Sequence, residues 1–161
     1  MAPASFYAAD RGEQGVRPHY DGLPVDFTAQ AITALGARAV EGFRTCHVLN
    51  PHDDGISLDE FVAWMIDAGH PIERLGNYDD WVGRFETALR ALPEKRRQHS
   101  VLALMDAFRR PAPRVAGSSV PAEGFRAQLR ALALGPGGDI PHLSASFIHK
   151  VLADLQRLDL I

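Results

Sequence analysis

Acidic and amide side chains between residues 50 and 60 are the first place in the sequence where metal binding would be expected. If Gly55 takes the glycine position of an EF-hand loop, Asn50 and Asp54 fall on ligand positions. Glu60 then arrives one residue early, and Phe61 stands where the bidentate glutamate belongs. A strand-like segment also precedes the loop, where an EF-hand has a helix. The spacing therefore predicts no calcium site and favours a strand-to-helix turn, with its acidic residues near the positive end of the next helix.

Histidine is frequent, but its spacing does not form a metal motif. No two histidines stand at i and i+4, and Cys46 is the only cysteine, so we predict no metal ligands in this chain. His52 is of interest for another reason. It follows the predicted strand at residues 45–49, and loops at the carboxyl ends of strands carry ligand contacts in α/β sheets. The histidines are His19, His47, His52, His70, His99, His142 and His149.

The motifs of nucleophilic and reductive catalysis are absent from the sequence. It contains neither a Gly-x-Ser-x-Gly turn nor a Gly-x-Gly-x-x-Gly turn, and the glycine cluster at 135–138 carries Pro136 where a phosphate-binding turn needs free amides. A tyrosine four residues before a lysine would hold a proton donor, but this pair is missing too. The residues at that spacing from Tyr7, Tyr20 and Tyr78 are Arg11, Pro24 and Val82. We therefore predict no catalytic and no cofactor-binding residues.

Length, charge and hydropathy exclude several classes of partner. The chain has 161 residues, with 17 Lys and Arg against 20 Asp and Glu, so no basic face for nucleic acid is expected. The basic run at residues 94–99 is interpreted as a solvated helix start or a link between helices. Apolar runs reach only about five residues, far below the roughly 20 that a bilayer requires, so we expect neither membrane insertion nor secretion. A single cysteine is typical of a reducing cytoplasm.

The sequence around residues 1–36 predicts a loose segment followed by a helix. Residues 1–19 have no helical or alternating period, and we expect a loosely ordered leading segment there. Asp26 is in position to cap the first helix, and Gly36 is in position to end it.

The next part of the chain predicts a βα unit. Residues 45–49 are the best strand candidate. A helix follows, for which Ser57 and Glu60 match a capping box. Residues 71–75 predict a second short strand, so that residues 20–76 together form a βα portion.

Residues 77–161 predict a helical C-terminal lobe. One amphipathic helix opens at Tyr78, and another covers residues 101–108. Pro121 stands at a plausible first helical position, and Ser144 can cap a last helix with a broad apolar stripe.

Four phrases are distinctive in their order along the chain. They are HYDGLPVDF at 19–27, HVLNPHDDGISLDEF at 47–61, RFETALRALP at 84–93 and GDIPHLS at 138–144. In this order they resemble the reductase domain of carboxylic acid reductases, and specifically its C-terminal part. The likeness extends over nearly the whole chain, from about Ser5 to Ile161.

The resemblance implies an α/β, helix-rich fold: the C-terminal portion of a Rossmann-like extended short-chain reductase, with two or three short strands and a helical substrate-side lobe. In this family an adenylating domain activates a carboxylate, a phosphopantetheine carrier holds it as a thioester, and the reductase releases an aldehyde with NADPH. The implied partners are therefore the carrier domain and the missing N-terminal half of the reductase. The family's glycine-rich turn and Tyr/Lys pair lie upstream of the matched part, so no catalytic residue is carried over.

By the same analogy, residues 45–49 would return to the parallel sheet, whose other strands the missing half supplies. The turn that holds Tyr20, Asp21 and Pro24, and the loop that holds His52, would then lie near the substrate mouth. The leading hypothesis is a substrate-side fragment of an NADPH-dependent thioester reductase that is not catalytic alone. The alternative is a stand-alone helical interaction module, which docks on a carrier protein or forms a homodimer.

Overall fold

The computed structural model describes residues 1–9, 16–39, 41–42, 45–115, 117–118 and 120–160. In this part of the chain helices dominate, as the sequence predicts. The α-helices are α1 (Val25–Arg38), α2 (Leu58–Asp67), α3 (Tyr78–Arg90), α4 (Glu94–Gln98), α5 (Glu123–Leu132) and α6 (Ala145–Arg157). Short 3-10 helices cover Val101–Phe108 and Pro136–Gly138.

Two short strands, β1 (Ala2–Pro3) and β2 (Arg74–Leu75), pair in parallel. The Ala2 N–H donates to Glu73 O at 2.8 Å. β2 confirms the short strand predicted at 71–75 in part, over Arg74–Leu75 alone, whereas β1 falls in the segment expected to be loosely ordered. The start of the chain is ordered because it forms hydrogen bonds with a later element. Asp59, in the first turn of α2, accepts hydrogen bonds from Ser5 Oγ at 2.6 Å and from the Phe6 N–H at 2.8 Å. Residues 10–15 of that segment lie outside the described residues.

The strand predicted at residues 45–49 is not formed, and this expectation was wrong for the chain by itself. Its backbone is irregular, and no backbone hydrogen bond joins it to any other described residue. A β-strand needs a neighbour to satisfy its N–H and C=O groups, and β-branched residues do not supply one. The segment therefore has strand composition without a strand's partner.

Contacts divide the chain into two compact units. The first unit comprises Met1–Val16 and Leu58–Arg114, and the second comprises Arg17–Ser57 and Val115–Ile161. This division differs from the predicted segments 20–76 and 77–161, because the start of the chain packs with the middle of the sequence and the end packs with residues 17–57.

The core of the first unit is aromatic and centres on Trp81, which is 2 % exposed. Its indole stacks on Phe85 with ring centroids 5.3 Å apart and meets Phe6 edge-on at the same separation. Phe108 adds a further edge contact from the 3-10 helix. The helical spacing predicted for Trp81 and Phe85 from Tyr78 onward is thus confirmed. The 101–108 segment is also helical, but with the tighter 3-10 winding that short connectors favour.

The core of the second unit lies between α1 and α5. Phe27 and Phe125 meet edge-to-face with centroids 6.3 Å apart. The buried cluster consists of Phe27, Ala31, Ala122, Phe125, Leu129 and Ile140. The segments that carry the candidate site pack against this cluster.

The ends of α1 and α5 differ from the predicted positions. α1 begins at Val25, so Asp26 lies in its first turn and is not its N-cap, because Pro24 O already accepts the Thr28 N–H at 3.0 Å. It continues to Arg38, beyond Gly36. α5 begins at Glu123, two residues after Pro121.

α6 begins as predicted, since Ser144 Oγ accepts the Phe147 N–H at 3.3 Å. None of its side chains is fully buried, and Leu158, just after its end, is 61 % exposed. Among the described residues, no helix combines the length and the apolar character needed to cross a membrane.

Candidate functional site

The buried amide of Asn50 joins the two loops that the family resemblance predicts near the substrate mouth. Asn50 is fully buried, and its Nδ2 donates to Tyr20 O at 3.1 Å. Its Oδ1 accepts the His52 N–H at 3.1 Å. The Tyr20 N–H donates to Ile56 O at 3.1 Å, which closes the far side of the loop. The 19–24 turn and the 50–56 loop of the second unit therefore form one hydrogen-bonded body, which we call the loop platform.

His19 makes a second link within the loop platform. Its Nε2 lies 2.9 Å from Asn50 O and 3.1 Å from Asp21 Oδ1. Both partners are acceptors, so this nitrogen carries the proton. The His19 side chain is 5 % exposed and that of Asp21 is 71 % exposed. A buried histidine therefore holds an exposed carboxylate in place.

The close approach within the turn also explains a glycine. A Cβ at Gly22 would lie 2.1 Å from Tyr20 Cε1, because the phenol ring folds back over the turn. A larger residue at this position would require the Tyr20 ring to move. The turn's sequence is thus tied to the placement of Tyr20, whose side chain and backbone are 37 % exposed.

Two histidines stack at the rim of the loop platform. The rings of His52 and His142 lie 3.6 Å apart with an interplanar angle of 19°. His52 Nε2 donates to Ile140 O at 2.9 Å, and His142 Nδ1 donates to Asp54 Oδ2 at 2.7 Å. Each ring thus uses one nitrogen to bind the segment that carries the other ring.

Asp54 is the acidic partner of this pair. Partial burial acts to raise its pKa, but the hydrogen bonds from His142 and from the Ile56 N–H outweigh it, and the pKa of Asp54 is lowered below its ordinary 3.8. The carboxylate therefore stays ionised at neutral pH. Its role is that of a hydrogen-bond acceptor and loop anchor, in the turn predicted ahead of α2.

Arg126 and Asp139 brace the segment that contacts His52. Arg126 Nε donates to Asp139 Oδ1 at 2.8 Å, and its Nη2 bonds the other oxygen in a two-point contact. Asp139 also accepts the Ile140 N–H at 2.8 Å. The Arg126 guanidinium is the largest reason why the pKa of Asp139 is lowered from 3.8 to about 2, and His52 contributes as well. This two-point ion pair therefore holds the segment whose Ile140 carbonyl accepts the hydrogen bond from His52.

The residues named from the sequence are thus found together. Tyr20, Asp21 and His52 belong to the loop platform, and Pro24 ends its turn as the residue before α1. Sequence reasoning missed the residues that hold them, of which Asn50 had a local signal in its position before Pro51. Arg126, Asp139 and His142 had none, because their partners are distant in the sequence.

A groove lies elsewhere in the second unit, between α1, α5 and residues 45–48. Its volume is about 460 Å³. None of the four predicted substrate-side residues lines it. Its lining combines apolar side chains with charged and polar ones, and it includes Ile32, Leu35, Cys46, Val48 and Leu132 together with Arg38, Glu41 and Gln128.

The chemistry available to these groups is binding and orientation. In the described part of the chain no three His, Cys, Asp or Glu side chains are grouped so as to hold a metal ion, the 50–55 loop included. The side chains of the loop platform are donors and acceptors engaged with backbone groups. They can position a ligand, but they include no activated nucleophile with a base beside it.

No protein-family model matches the chain. Curated proteins similar over its whole length include the carboxylic acid reductases of Mycobacterium marinum, at 52 % identity, and Segniliparus rugosus, at 48 %. The isonitrile lipopeptide synthase of Mycobacterium tuberculosis is 46 % identical. The chain spans only 14 % of the length of the two reductases and 7 % of that of the synthase.

Solved structures of relatives show which fold the chain has. The reductase domain of a nonribosomal peptide synthetase from Mycobacterium tuberculosis matches 99 % of this chain with a TM-score of 0.84 and 45 % identity, and the match covers 38 % of that domain's chain. A second crystal structure of such a domain matches with a TM-score of 0.83. The expected fold class, a helix-rich portion of an extended short-chain reductase, is confirmed. The chain therefore corresponds to the C-terminal part of the reductase domain of carboxylic acid reductases.

Proposed function

We propose that this chain is the substrate-side part of an NADPH-dependent reductase that releases carrier-bound acyl thioesters as aldehydes. The observation that supports this role is the loop platform, in which Tyr20, Asp21 and His52 are held together through the buried Asn50. A rigid, hydrogen-bonded set of loops is a suitable support for substrate contacts. The role is one of binding and orientation, and catalysis requires the preceding part of the reductase domain.

The residues of this chain do not fit an NADPH site. The sequence has no glycine-rich strand-to-helix turn, and Pro136 removes one amide from the glycine cluster at 135–138. The Gly138 N–H donates to Gly135 O at 3.1 Å and the Asp139 N–H donates to Pro136 O at 3.3 Å, so these groups do not face a phosphate. We assign the cofactor to the preceding part of the domain, and the acyl group to a phosphopantetheine carrier. A single cysteine fits a cytoplasmic setting for this enzyme.

Complementation tests the proposal. The purified chain is mixed with the preceding part of the reductase domain of the Mycobacterium marinum enzyme, and an acyl-loaded carrier domain is supplied. We expect NADPH consumption only when both parts are present. Consumption by the chain alone, or none by the mixture under conditions in which the complete Mycobacterium marinum domain is active, contradicts the proposal.

A single substitution tests whether the loop platform contacts the substrate. Asp21→Ala in the complemented enzyme should raise the KM for the loaded carrier severalfold and leave kcat nearly unchanged, because it removes an exposed binding group. Asp106→Ala is the matched control, since Asp106 is also exposed and paired with a nearby side chain, Arg109. Equal KM values for the two variants would place the substrate elsewhere.

A further inference from the structure

The stacked rings of His52 and His142 join the loop platform to the segment that follows the 135–138 turn. His52 Nε2 donates to Ile140 O at 2.9 Å, and His142 Nδ1 donates to Asp54 Oδ2 at 2.7 Å. Each ring has a second nitrogen that can take a proton. Histidine is the side chain whose charge ordinarily changes between pH 5 and pH 8. Two groups with pH-dependent charge therefore make this contact between distant segments.

The carboxylates beside the pair keep their charge over the same range of pH. Partial burial raises the pKa of Asp54, but the hydrogen bonds from His142 and from the Ile56 N–H outweigh it, and that pKa lies below 3.8. The Arg126 guanidinium is the main reason why the pKa of Asp139, near His52, is lowered to about 2. Any change between pH 5 and pH 7.5 therefore comes from histidine. The other charged groups of the loop platform form pairs of their own, Arg17 with Asp53 and His19 with Asp21.

The stacking makes one proton on the pair favourable and a second one costly. A charged His142 forms a charge-assisted hydrogen bond with the ionised Asp54. A second charge on His52 would face the first across rings whose centroids are 3.6 Å apart, with an interplanar angle of 19°. Even in water, two like charges about 4 Å apart repel enough to shift an equilibrium about fivefold. Groups coupled in this way titrate as one unit, in two steps.

We propose that His52 and His142 form a two-proton latch on the loop platform: one bound proton keeps the 50–56 loop and the 139–142 segment together, and a second proton separates them. Separation relieves the repulsion between the rings and breaks the two hydrogen bonds that cross between the segments. The platform is therefore closed at neutral pH and loosens at acidic pH. This property belongs to the chain without any substrate, and it goes beyond the proposed function.

Amide hydrogen exchange of the 161-residue chain, followed by mass spectrometry, tests the latch. The reporting amides are those of His52, which donates to Asn50 Oδ1, and of Ile140, which donates to Asp139 Oδ1. Their exchange is measured at about pH 7.5 and about pH 5 and corrected for the intrinsic pH dependence of amide exchange. The corrected ratio of the acidic rate to the neutral rate is the quantity compared between variants.

His52→Gln and His142→Asn each keep a neutral amide donor near the nitrogen that they replace and remove one of the two charges. We expect the ratio to be at least about fivefold larger in the native chain than in either variant, because only the native pair can carry two charges. His47→Gln is the matched control. His47 is an exposed histidine of the same unit that lies against one backbone carbonyl, Pro121 O at 3.2 Å, and its replacement should leave the native ratio unchanged.

A native ratio no larger than that of the two variants would overturn the latch, and so would loss of the native ratio in His47→Gln. Imidazole ¹⁵N shifts of the native chain give a measurement that needs no substitution. We expect loss of amide protection to accompany the second charge on the pair, and two charged rings with protection retained would also overturn the inference. If Asp21→Ala leaves the KM for the loaded carrier unchanged while the latch responds to acid, the latch stands and the placement of the substrate fails.

Discussion

At the scale of single residues, one buried amide determines whether the loop platform exists. Asn50 bonds one loop through Nδ2 and the other through Oδ1, and its own carbonyl accepts from His19. Three groups from two loops therefore depend on one side chain and its backbone. Buried polar groups of this kind are costly to leave unpaired.

Asn50→Ala should destabilise the chain by about 2 to 4 kcal/mol, because Tyr20 O and the His52 N–H would each lose a partner. Urea unfolding followed by circular dichroism measures the change. The matched control is Asn77→Ala, which removes the exposed cap of α3 and should cost about 1 kcal/mol. A loss for Asn50→Ala no larger than that of the control would show that the amide does not hold the loops.

The Arg126–Asp139 pair predicts a pH dependence of stability. The pKa of Asp139 is lowered to about 2 in the folded chain, mainly by Arg126, and returns near 3.8 on unfolding. The folded state therefore gains from this pair above about pH 4 and loses the gain as the pH falls towards 2.

Asp139→Asn should cost about 1 to 2 kcal/mol at neutral pH, a value reduced for solvent screening because the side chains are 28 % and 37 % exposed. The loss should shrink at acidic pH, where the native carboxylate also becomes protonated. Denaturant unfolding at several pH values checks this. Asp154→Asn, at the exposed pair with Lys150, is the control and should show little effect at any pH. A loss for Asp139→Asn that is independent of pH would contradict the assignment.

At the scale of elements, the turn after α5 depends on glycines for two different reasons. Gly135 has φ 74° and ψ 170°, a conformation that is essentially restricted to glycine, and a Cβ there would lie 2.0 Å from Asp139 O. Gly137 has φ 63°, but a Cβ there meets nothing within 4 Å. A side chain at residue 135 would therefore meet both backbone strain and steric overlap, whereas one at residue 137 would meet backbone strain alone.

Gly135→Ala should therefore destabilise the chain by about 3 kcal/mol or more, against about 1 kcal/mol for Gly137→Ala. Thermal unfolding of the two variants makes the comparison. The larger effect should be accompanied by loss of the His52 contact, because this turn leads directly into the segment of Asp139 and Ile140. Similar losses for both variants would show that the turn can relax around an added methyl group.

At the scale of the whole molecule, the chain is part of a larger reductase in its relatives, and we expect cofactor binding to depend on the rest of that domain. Calorimetric titration of the 161-residue chain with NADPH should show no binding, because the sequence offers no glycine-rich phosphate turn. The complete reductase domain of the Mycobacterium marinum relative is the positive control. Micromolar affinity of the chain alone would contradict the assignment of the cofactor site to the preceding part.

Much of the local structure could be predicted from the sequence. The 3.6-residue spacing around Trp81 and Phe85 predicted α3, and Ser144 predicted the start of α6, since both signals act within a few residues. Helix ends were less predictable. α1 begins before Asp26 because a neighbouring carbonyl, Pro24 O, accepts the first helical hydrogen bond.

The sequence by itself indicated the C-terminal part of a carboxylic acid reductase's reductase domain, through phrases that are distinctive in their order, and by that resemblance it predicted Tyr20, Asp21, Pro24 and His52 near the substrate mouth. Only the tertiary structure decided what holds them: a buried Asn50, a stacked His52 and His142, and an Arg126–Asp139 fork. It also decided that residues 45–49 form no strand within the described chain. The physical reason is the same in both cases, because hydrogen bonds between distant segments satisfy polar groups that local sequence cannot pair, and a strand exists only where a neighbour completes it.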